Sequence, residues 1–187
     1  MIGQQIIQIH EVDSTNNYAA KLLSEGKLAH GTVILAEHQT AGRGQRGRNW
    51  QSVGAKQFTG TYFLKTDFLS VDHLCYLNMA IALAVRGMVQ FYTRKYVSIK
   101  WPNDIFIGNQ KIGGILIETN WKNGQVEGAI VGIGVNISPV QRVVHAISLE
   151  ELSGKSPEIF SILDVLSLAG DLTLYGRREN VLVIREV

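Results

Sequence analysis

The sequence predicts one α+β domain in which helices cover a mostly antiparallel β-sheet. Three observations lead to this fold class. Four apolar segments of strand length follow one another between Val97 and Ile137, with turn residues between them. A long segment with helical spacing of apolar residues, from Val71 to about Arg94, precedes them. The 187 residues show no internal repeat, low-complexity tract or linker that would divide them. Helices packed on an antiparallel sheet bury both kinds of apolar face.

The N-terminal part of the chain is predicted to contain three strands and one helix. The predicted strands are Ile6–Val12, Thr32–Ala36 and Thr61–Leu64. Between the first two, the side-chain oxygens of residues 13–15 (Asp, Ser and Thr) can cap a helix that runs to about Leu23 and ends at Gly26. The stretch Gly42–Arg48 is predicted to be a loop, because its glycines weaken any regular element.

The long helix and the strands after it are predicted from their periodicities. The helix carries apolar residues at helical spacing: Leu74, Leu77, Ile81, Ala84, Val85, Met88 and Phe91. The strands are Val97–Trp101, Ile105–Ile107, Ile112–Thr119 and Val126–Ile137. Residues 108–109 and 122–124 supply turns, because Gly and Asn tolerate positive φ. The middle of the protein is therefore predicted to be an antiparallel meander.

After Pro139 the chain is predicted to become helical again. Ser148 and Glu151 have the spacing of a capping box, and Pro157 suits the first position of a helix. The last apolar residues, Val181–Ile184, have the composition of a final strand.

Composition narrows the class of protein. The net charge is +2, from 18 basic and 16 acidic residues, which is too small for a protein that wraps nucleic acid. The single cysteine, Cys75, cannot form an internal disulfide, and neither end carries a signal-like leader or an apolar run of membrane-spanning length. We therefore expect a cytoplasmic protein that binds neither nucleic acid nor a membrane.

The loop Gly42–Arg48 indicates an anion-binding site. Its three arginines repel one another, and its three glycines let the backbone approach a ligand closely. The letters also match G-x-G-x-x-G, but residues 49–54 do not form the amphipathic helix that a dinucleotide site requires. A solvated basic loop is the alternative, and it gives no reason for glycines spaced among the arginines.

Two further segments suggest a ligand near the sheet. Lys100–Asp104 brings a lysine, an amide and a carboxylate to a strand end, which fits either magnesium with a phosphate or an ordinary capped turn. Small residues recur on two consecutive strands, at Gly113–Gly114 beside Lys111 and at Gly132–Asn136. These glycines either clear one face of the sheet for a flat ligand or mark a bulge or tight packing.

Five segments in order resemble the motifs of biotin–protein ligases. They are residues 13–16 (DSTN), 37–50 (EHQTAGRGQRGRNW), 100–104 (KWPND), 111–118 (KIGGILIE) and 132–137 (GIGVNI). The resemblance covers about residues 6–152 and identifies the chain as a member of this family. It implies the biotin–lipoate ligase catalytic fold, which is similar to that of class II aminoacyl-tRNA synthetases.

The resemblance implies a two-step reaction with ATP, Mg²⁺ and biotin. The biotin carboxylate attacks the α-phosphate of ATP, giving biotinyl-5′-AMP and pyrophosphate. A lysine of a biotin carboxyl carrier protein or domain then takes the acyl group. Dimerisation through a sheet edge is also implied by the resemblance.

Carried over by position, the resemblance assigns three sets of residues. The biotin-binding set is Ser14, Thr15, Asn16, Gln39, Arg43, Gly44, Gln45, Lys111, Gly113 and Gly114. The ATP-binding set is Arg46, Arg48, Trp50, Lys100, Asn103, Asp104 and Asn136, with Asp104 as the magnesium ligand and Asn136 on the adenine side. The catalytic set is Lys111, Arg43 and Lys100, of which Lys111 stabilises charge on the transferring phosphate.

The chain departs from the family pattern in two places. Gln45 stands where many members have an arginine that helps to retain the adenylate, and we hypothesise weaker retention. Residues 153–187 are predicted to be a helical tail, too short for the small C-terminal β-barrel of many relatives. We treat residues 1–187 as one catalytic domain of the monofunctional type, without an N-terminal DNA-binding domain.

Two other functions compete with biotin–protein ligation. A lipoate–protein ligase has the same architecture, but the arginine loop with Trp50 and the KWPND segment look like the biotin members. A non-catalytic domain that only holds biotin or biotinyl-AMP fits the short C-terminus and Gln45. The presence of both Lys100 and Lys111 favours retained chemistry.

Overall fold

One β-sheet forms the frame of the protein in a computed structural model that describes residues 2–50, 56–66, 70–122, 125–140 and 143–175. Its strands are β1 (Ile6–Val12), β2 (Val33–Gln39), β3 (Gln57–Lys65), β4 (Ser98–Lys100), β5 (Asp104–Ile107), β6 (Gln110–Lys122) and β7 (Gln125–Asn136). They lie side by side in the order β1-β2-β3-β7-β6-β5-β4. Only the β1–β2 pair among these strands is parallel. The predicted α+β class with a mostly antiparallel sheet is confirmed.

Helices cover both faces of the sheet. They are α1 (Thr15–Ser24), α2 (Leu74–Thr93), α3 (Leu149–Ser153) and α4 (Ile159–Tyr175). The larger core lies under α2, α3 and α4 and contains Phe58, Tyr62 and Leu64 of β3. The smaller core lies under α1 and contains Phe63, which lies between Tyr62 and Leu64 in the sequence. Successive side chains of a strand point to opposite faces, so α1 lies on the face opposite to α2 and α4.

Most of the predicted elements are confirmed, with differences at their ends. The long helix is confirmed as α2, and the predicted capping box of Ser148 and Glu151 is present at the start of α3. Strand β3 begins at Gln57 rather than Thr61, because its first residues pair with β7 although several are polar or glycine. Pro157 does not open a helix: α4 begins two residues later, at Ile159. The predicted strand 181–184 and the turn residues 123–124 lie outside the described residues.

Part of the apolar character of helix α2 comes from the core that it covers. The segment Val71–Thr93 is long and apolar enough, by length and composition alone, to cross a membrane. In the fold, Val85, Met88 and Val89 are fully buried against the sheet, as in the core helix of a globular domain.

Candidate active site

A cavity of about 330 Å³ opens on the α1 face of the sheet. Its walls come from the start of α1, the loop after β2, the turn between β4 and β5, and the middle of β6 and β7. The volume lies within the range of pockets that bind small molecules. Residues far apart in the sequence therefore meet around one space large enough for a ligand.

The start of α1 presents polar side chains to this cavity. Ser14, Thr15 and Asn16 are almost fully buried and line it. Ser14 occupies the N-cap position of α1, but its side chain makes no capping hydrogen bond, so the predicted capping by this hydroxyl is wrong. Gln39 at the end of β2 instead accepts hydrogen bonds from the backbone N–H of Thr15 (2.8 Å) and from its hydroxyl (3.1 Å). The helix start is therefore fixed by a cavity residue of the neighbouring strand.

Asp13, just before the helix, is held as a carboxylate. The Asn17 amide donates to Asp13 Oδ2 at 2.6 Å. This bond, followed by one from the Ser14 backbone, lowers the pKa of the Asp13 carboxyl below its ordinary value. An ionised residue one turn before Asn17 keeps the N-terminal motif ordered.

Asn16 is held from three sides. Its Oδ1 accepts a hydrogen bond from the Thr61 hydroxyl at 2.7 Å, and its Nδ2 donates to Glu118 Oε2 at 2.9 Å. The third contact is with the backbone of Gly132, where a β-carbon would come within 3.1 Å of Asn16 Cγ. The amide therefore has one orientation, set by β3, β6 and β7.

The arginine-rich loop closes on itself as a short hairpin. The Trp50 N–H donates to the Gly42 carbonyl at 2.8 Å, and the Gly44 N–H donates to the Arg48 carbonyl at 2.7 Å. Arg46 at its tip has φ +56°, and Gly47 follows at +73°. A β-carbon on Gly42 would lie 2.5 Å from the Trp50 carbonyl oxygen, so the closure requires glycine there.

Arg43 contacts the cavity but directs its guanidinium to other residues. Nη2 donates to Glu118 Oε1 at 2.5 Å, while Nη1 donates to Glu118 Oε2 at 3.2 Å and to Asn17 Oδ1 at 2.7 Å. The pair is a bidentate fork. It ties the loop to β6 and to α1.

Trp50 fills the space above the glycines of β6 and β7. A β-carbon on Gly114 would come within 3.3 Å of the indole, and one on Gly134 would overlap it. The indole N–H donates to Gln57 Oε1 at 2.9 Å. We predicted that these glycines leave space for a flat ligand. At Gly134 the flat group is instead the indole of Trp50.

The turn between β4 and β5 carries a second charged group of cavity residues. Lys100 and Asp104 face each other as a cross-strand pair. The turn is held by α2, since the Asn78 amide donates to the Pro102 carbonyl at 2.9 Å. Asn103 is bonded to Ile115 of β6 through its amide (3.1 Å) and its carbonyl (2.9 Å). Helix, turn and strand together fix these side chains.

Lys111 and Asp104 form an ion pair at the centre of the site. Lys111 Nζ lies 2.6 Å from Asp104 Oδ1 and 5.8 Å from the centre of the Trp50 ring. The two charged side chains are 36% and 17% exposed, so the pair is open to the cavity rather than sealed in the core. An anion entering the cavity meets an ammonium group that is already oriented.

A second cavity of about 370 Å³ adjoins the first. Asn49, Trp50 and Lys111 line both cavities and form the wall between them. On the far side the second cavity is lined by Asn136 and the mostly apolar segment 143–146. That segment is held by Lys111, whose backbone N–H donates to the His145 carbonyl at 2.7 Å. The site thus consists of two chambers that meet at Lys111.

The structure brings most of the predicted site residues together. Those around the first cavity are Ser14, Thr15, Asn16, Gln39, Arg43, Gly44, Gln45, Arg46, Arg48, Trp50, Lys100, Asn103, Asp104, Lys111 and Gly114. Asn136 faces the second cavity, and its amide also donates to the Ile147 carbonyl at 3.1 Å. Gly113 is not a lining residue: it points to the opposite face from Gly114, towards the carbonyl of Gly134. Its assignment to the biotin-binding set is therefore wrong in geometry, since neighbours on a strand alternate.

Sequence reasoning missed a polar layer beneath the site. Gln57, Thr59 and Thr61 are almost fully buried on the site face of β3, and Glu118 on β6 connects Asn16 with Arg43. Three polar residues at alternate positions of a buried strand are a signal that could have identified this layer. A lone acid at the end of an apolar strand is a weaker signal of the same kind.

Protein ligases are among the known proteins that resemble this chain in sequence and fold. Residues 9–136 match the Biotin/lipoate A/B protein ligase family. The biotin--[acetyl-CoA-carboxylase] ligase of Paracoccus denitrificans is 37% identical over 128 residues, which are 67% of this chain and 52% of that protein. The chain spans about two-fifths to three-fifths of the length of the curated relatives that it matches.

Two solved structures show the same architecture. The biotin protein ligase from Leishmania major in complex with biotinyl-5-AMP has a TM-score of 0.78 at 26% identity, over 94% of this chain and 77% of that chain. The biotin protein ligase from Aquifex aeolicus in complex with biotin and ATP has a TM-score of 0.76 at 28% identity, over 91% and 70%.

Proposed function

Since the chain belongs to the Biotin/lipoate A/B protein ligase family, we propose that it is the catalytic domain of a biotin–protein ligase. It forms biotinyl-5′-AMP from biotin and ATP and transfers biotin to a lysine of a carrier protein. The observation that carries this proposal is the pair of cavities that share Trp50 and Lys111 as their common wall. A reaction that joins two substrates needs such an arrangement, with fixed positive charge where the new bond forms.

The first cavity is the proposed biotin site. Its deep end offers the hydroxyl and amide groups of Ser14, Thr15 and Asn16, which suit the ureido group of biotin. The side chain of Leu116, on the same face of β6 as Gly114, and the backbone of β6 and β7 line the remaining wall, which suits its aliphatic chain. The carboxylate then points towards Lys111.

The second cavity is the proposed adenine site. Segment 143–146 is mostly apolar and Asn136 supplies an amide, which are suitable partners for a purine ring. The phosphates would extend towards Lys111, Lys100 and the arginine loop. The relatives solved with biotin and ATP and with biotinyl-5-AMP support the choice of these ligands.

In the first step a carboxylate oxygen of biotin attacks the α-phosphorus of ATP. The bond between them forms as the bond from the α-phosphorus to the bridging oxygen breaks, and pyrophosphate leaves with that electron pair. Lys111 stabilises the negative charge on the α-phosphate, and Asp104 keeps its ammonium group directed there. No general acid is needed, because pyrophosphate leaves as an anion.

Magnesium with ATP fits the residues around Asp104. Mg²⁺ commonly takes one or two protein carboxylates and completes its shell with water and substrate phosphates. Asp104 supplies one carboxylate at the cavity wall, and among the described residues no group of three or more acidic, His or Cys side chains forms a dedicated metal cage. When bound, the ion neutralises phosphate charge, with Asp104 as its protein ligand.

In the second step the neutral amine of an acceptor lysine attacks the acyl carbon of biotinyl-AMP. The amide bond forms, AMP leaves with the anhydride oxygen, and the amine loses its proton. The acceptor is proposed to be a biotin carboxyl carrier domain. A cytoplasmic location and a homodimer that pairs sheet edges are further parts of the proposal.

The test is biotin-dependent exchange of labelled pyrophosphate into ATP. We expect exchange with biotin and none with lipoate, and a loss of at least about a hundredfold in Lys111→Ala, because a charge-stabilising group is removed. Lys95→Ala removes an exposed lysine far from both cavities and serves as the matched control. Transfer is then followed by the mass increase of a biotin carboxyl carrier domain, with its acceptor lysine replaced by arginine as the blank.

The competing functions give different results in the same assay. Exchange with lipoate in place of biotin would identify a lipoate–protein ligase. Biotin binding without exchange would identify a non-catalytic binding domain.

A further inference from the structure

Glu118 bridges two parts of the site through one carboxylate, beside the direct hydrogen bond between Arg43 and Asn17. Its carboxylate accepts from the Asn16 amide on one side and from the Arg43 guanidinium on the other. Asn16 comes from the start of α1, and Arg43 from the loop after β2. We propose that Glu118 is a positioning residue that sets the biotin pocket and the arginine loop in one geometry; this rests on the proposed function.

The contacts of Glu118 fix the donor and acceptor directions of Asn16. The Oδ1 atom of Asn16 receives the Thr61 hydroxyl, so the carboxylate of Glu118 is the matching partner for Nδ2. A carboxylate accepts only, and it cannot be satisfied by the opposite orientation of the amide. Glu118 therefore decides which polar atoms the pocket offers to a ligand.

The contacts of Glu118 also fix the root of the loop. The two oxygens of one carboxylate bind the two terminal nitrogens of Arg43, and the Asn17 Oδ1 takes a further hydrogen of Nη1. Three of the five N–H groups of a guanidinium are used in this way, which leaves two for a ligand. Because the Gly42 carbonyl also binds the Trp50 N–H, holding Arg43 holds the base of the whole hairpin.

This role is one of geometry rather than of global stability. The side chains of Arg43 and Glu118 are 43% and 34% exposed, and exposed ion pairs add little to the free energy of unfolding. The position of Glu118 within β6, whose pairing with β7 is continuous on both sides of it, gives the carboxylate a rigid base. Removing its charge should therefore disturb the ligand site and leave the fold intact.

Glu118→Gln is the test variant, because it keeps the shape and removes the charge. Its amide has one acceptor oxygen and turns an NH₂ group towards a hydrogen-bond donor, so Arg43 loses its charged partner and at least one of its two bonds to this side chain. We expect the Kd for biotin to rise about tenfold and trypsin to cleave the unliganded chain after Arg46 and Arg48 about tenfold faster. At saturating biotin, the kcat of exchange should fall less than the KM for biotin rises.

Glu25→Gln, which breaks the exposed pair with Lys27, is the matched control and should leave all three quantities unchanged. Thermal unfolding of each variant reports whether the fold survives. If Glu118→Gln unfolds, Glu118→Asp retains the charge but shortens the reach, and the same trypsin and biotin measurements apply to it.

If Glu118→Gln is folded and both its Kd for biotin and its rate of trypsin cleavage stay within twofold of the parent values, the inference is overturned. A parent chain that shows no biotin-dependent exchange would instead overturn the proposed function. The trypsin measurement needs no ligand, so the two failures can be told apart.

Discussion

The indole of Trp50 lies directly over Gly134, and a β-carbon at that glycine would come within 2.6 Å of Trp50 Cζ2. The indole cannot keep its place if the strand below it gains a side chain, because the atom nearest to it is part of a rigid ring. Trp50 is also the wall between the two cavities. Gly134 therefore determines where that wall stands.

Gly134→Ala is expected to displace Trp50 and to lower exchange activity by about tenfold or more, because a small misplacement of a positioning group is costly. The fluorescence of the indole should shift as it becomes more exposed to solvent. Gly87→Ala is the control, since a β-carbon there meets nothing within 4 Å and helix α2 should gain about 0.5–1 kcal/mol. Unchanged activity and fluorescence in Gly134→Ala would contradict the role of this contact.

Asp104→Asn should slow adenylation by at least about tenfold, because Lys111 loses the carboxylate that directs its ammonium group. Biotin affinity should change less, since most of the biotin cavity is untouched. The measurement is exchange at saturating substrates over a range of magnesium concentrations. A higher magnesium requirement in the variant identifies Asp104 as a metal ligand, whereas an unaltered requirement with a lower rate limits it to holding Lys111.

Gln45→Arg tests the hypothesis of weak retention. We expect the variant to release biotinyl-AMP more slowly than the parent chain, because a guanidinium adds a charged partner for the adenylate phosphate at the cavity wall. The measurement is the rate of loss of labelled adenylate from the isolated complex. Gln8→Arg, at an exposed position of β1 that lines neither cavity, is the control. Equal release by Gln45→Arg and the parent would discard the hypothesis.

Tyr62→Phe should change the pH dependence of stability at alkaline pH. Burial raises the pKa of the Tyr62 phenol well above its ordinary value, and the nearby Ser167 hydroxyl offsets part of this effect. The unfolded chain loses this proton from about pH 10, while the folded chain keeps it, so the contribution is complete below pH 10 and is lost as the pH rises. The free energy of unfolding of the parent should therefore fall faster than that of Tyr62→Phe above pH 10.

Urea unfolding at pH 8 and at several pH values above 10 measures this difference. The free energies of unfolding of the two proteins should diverge by at most about 1.4 kcal/mol per pH unit. Tyr96→Phe, at a side chain that is 79% exposed, is the control. Parallel pH profiles of the parent and Tyr62→Phe would contradict the prediction.

The periodic elements of this fold could be predicted because their apolar residues follow one rule along the chain. Helix α2 shows the helical spacing, and β7 alternates for most of its length. The rule failed at the start of β3, where Gln57 and Thr59 are buried beneath the site and interrupt the apolar pattern. Because polar residues occupy these buried positions beneath the site, the apolar alternation that predicts a strand is missing there.

Short motifs predicted which residues line the cavity, but they did not predict the hydrogen bonds between those residues. Motifs mark residues that lie near one another in sequence, such as Lys100 and Asp104. The bonds from Asn16 to Glu118 and from Gln57 to Asn136 span 102 and 79 positions and follow only from the pairing of strands. Trp50 lies above Gly134, where the sequence left open either a flat ligand or tight packing.

The long separations between contacting site residues also govern when the site can exist during synthesis. Strand β3 pairs with β7 across residues 57 to 136, so the central strands cannot join until the ribosome has released β7. Such non-local pairing is slow to form compared with the helices. A fragment that stops before β7 would have four of the five motifs but would lack the wall that residues 132–134 give to the first cavity.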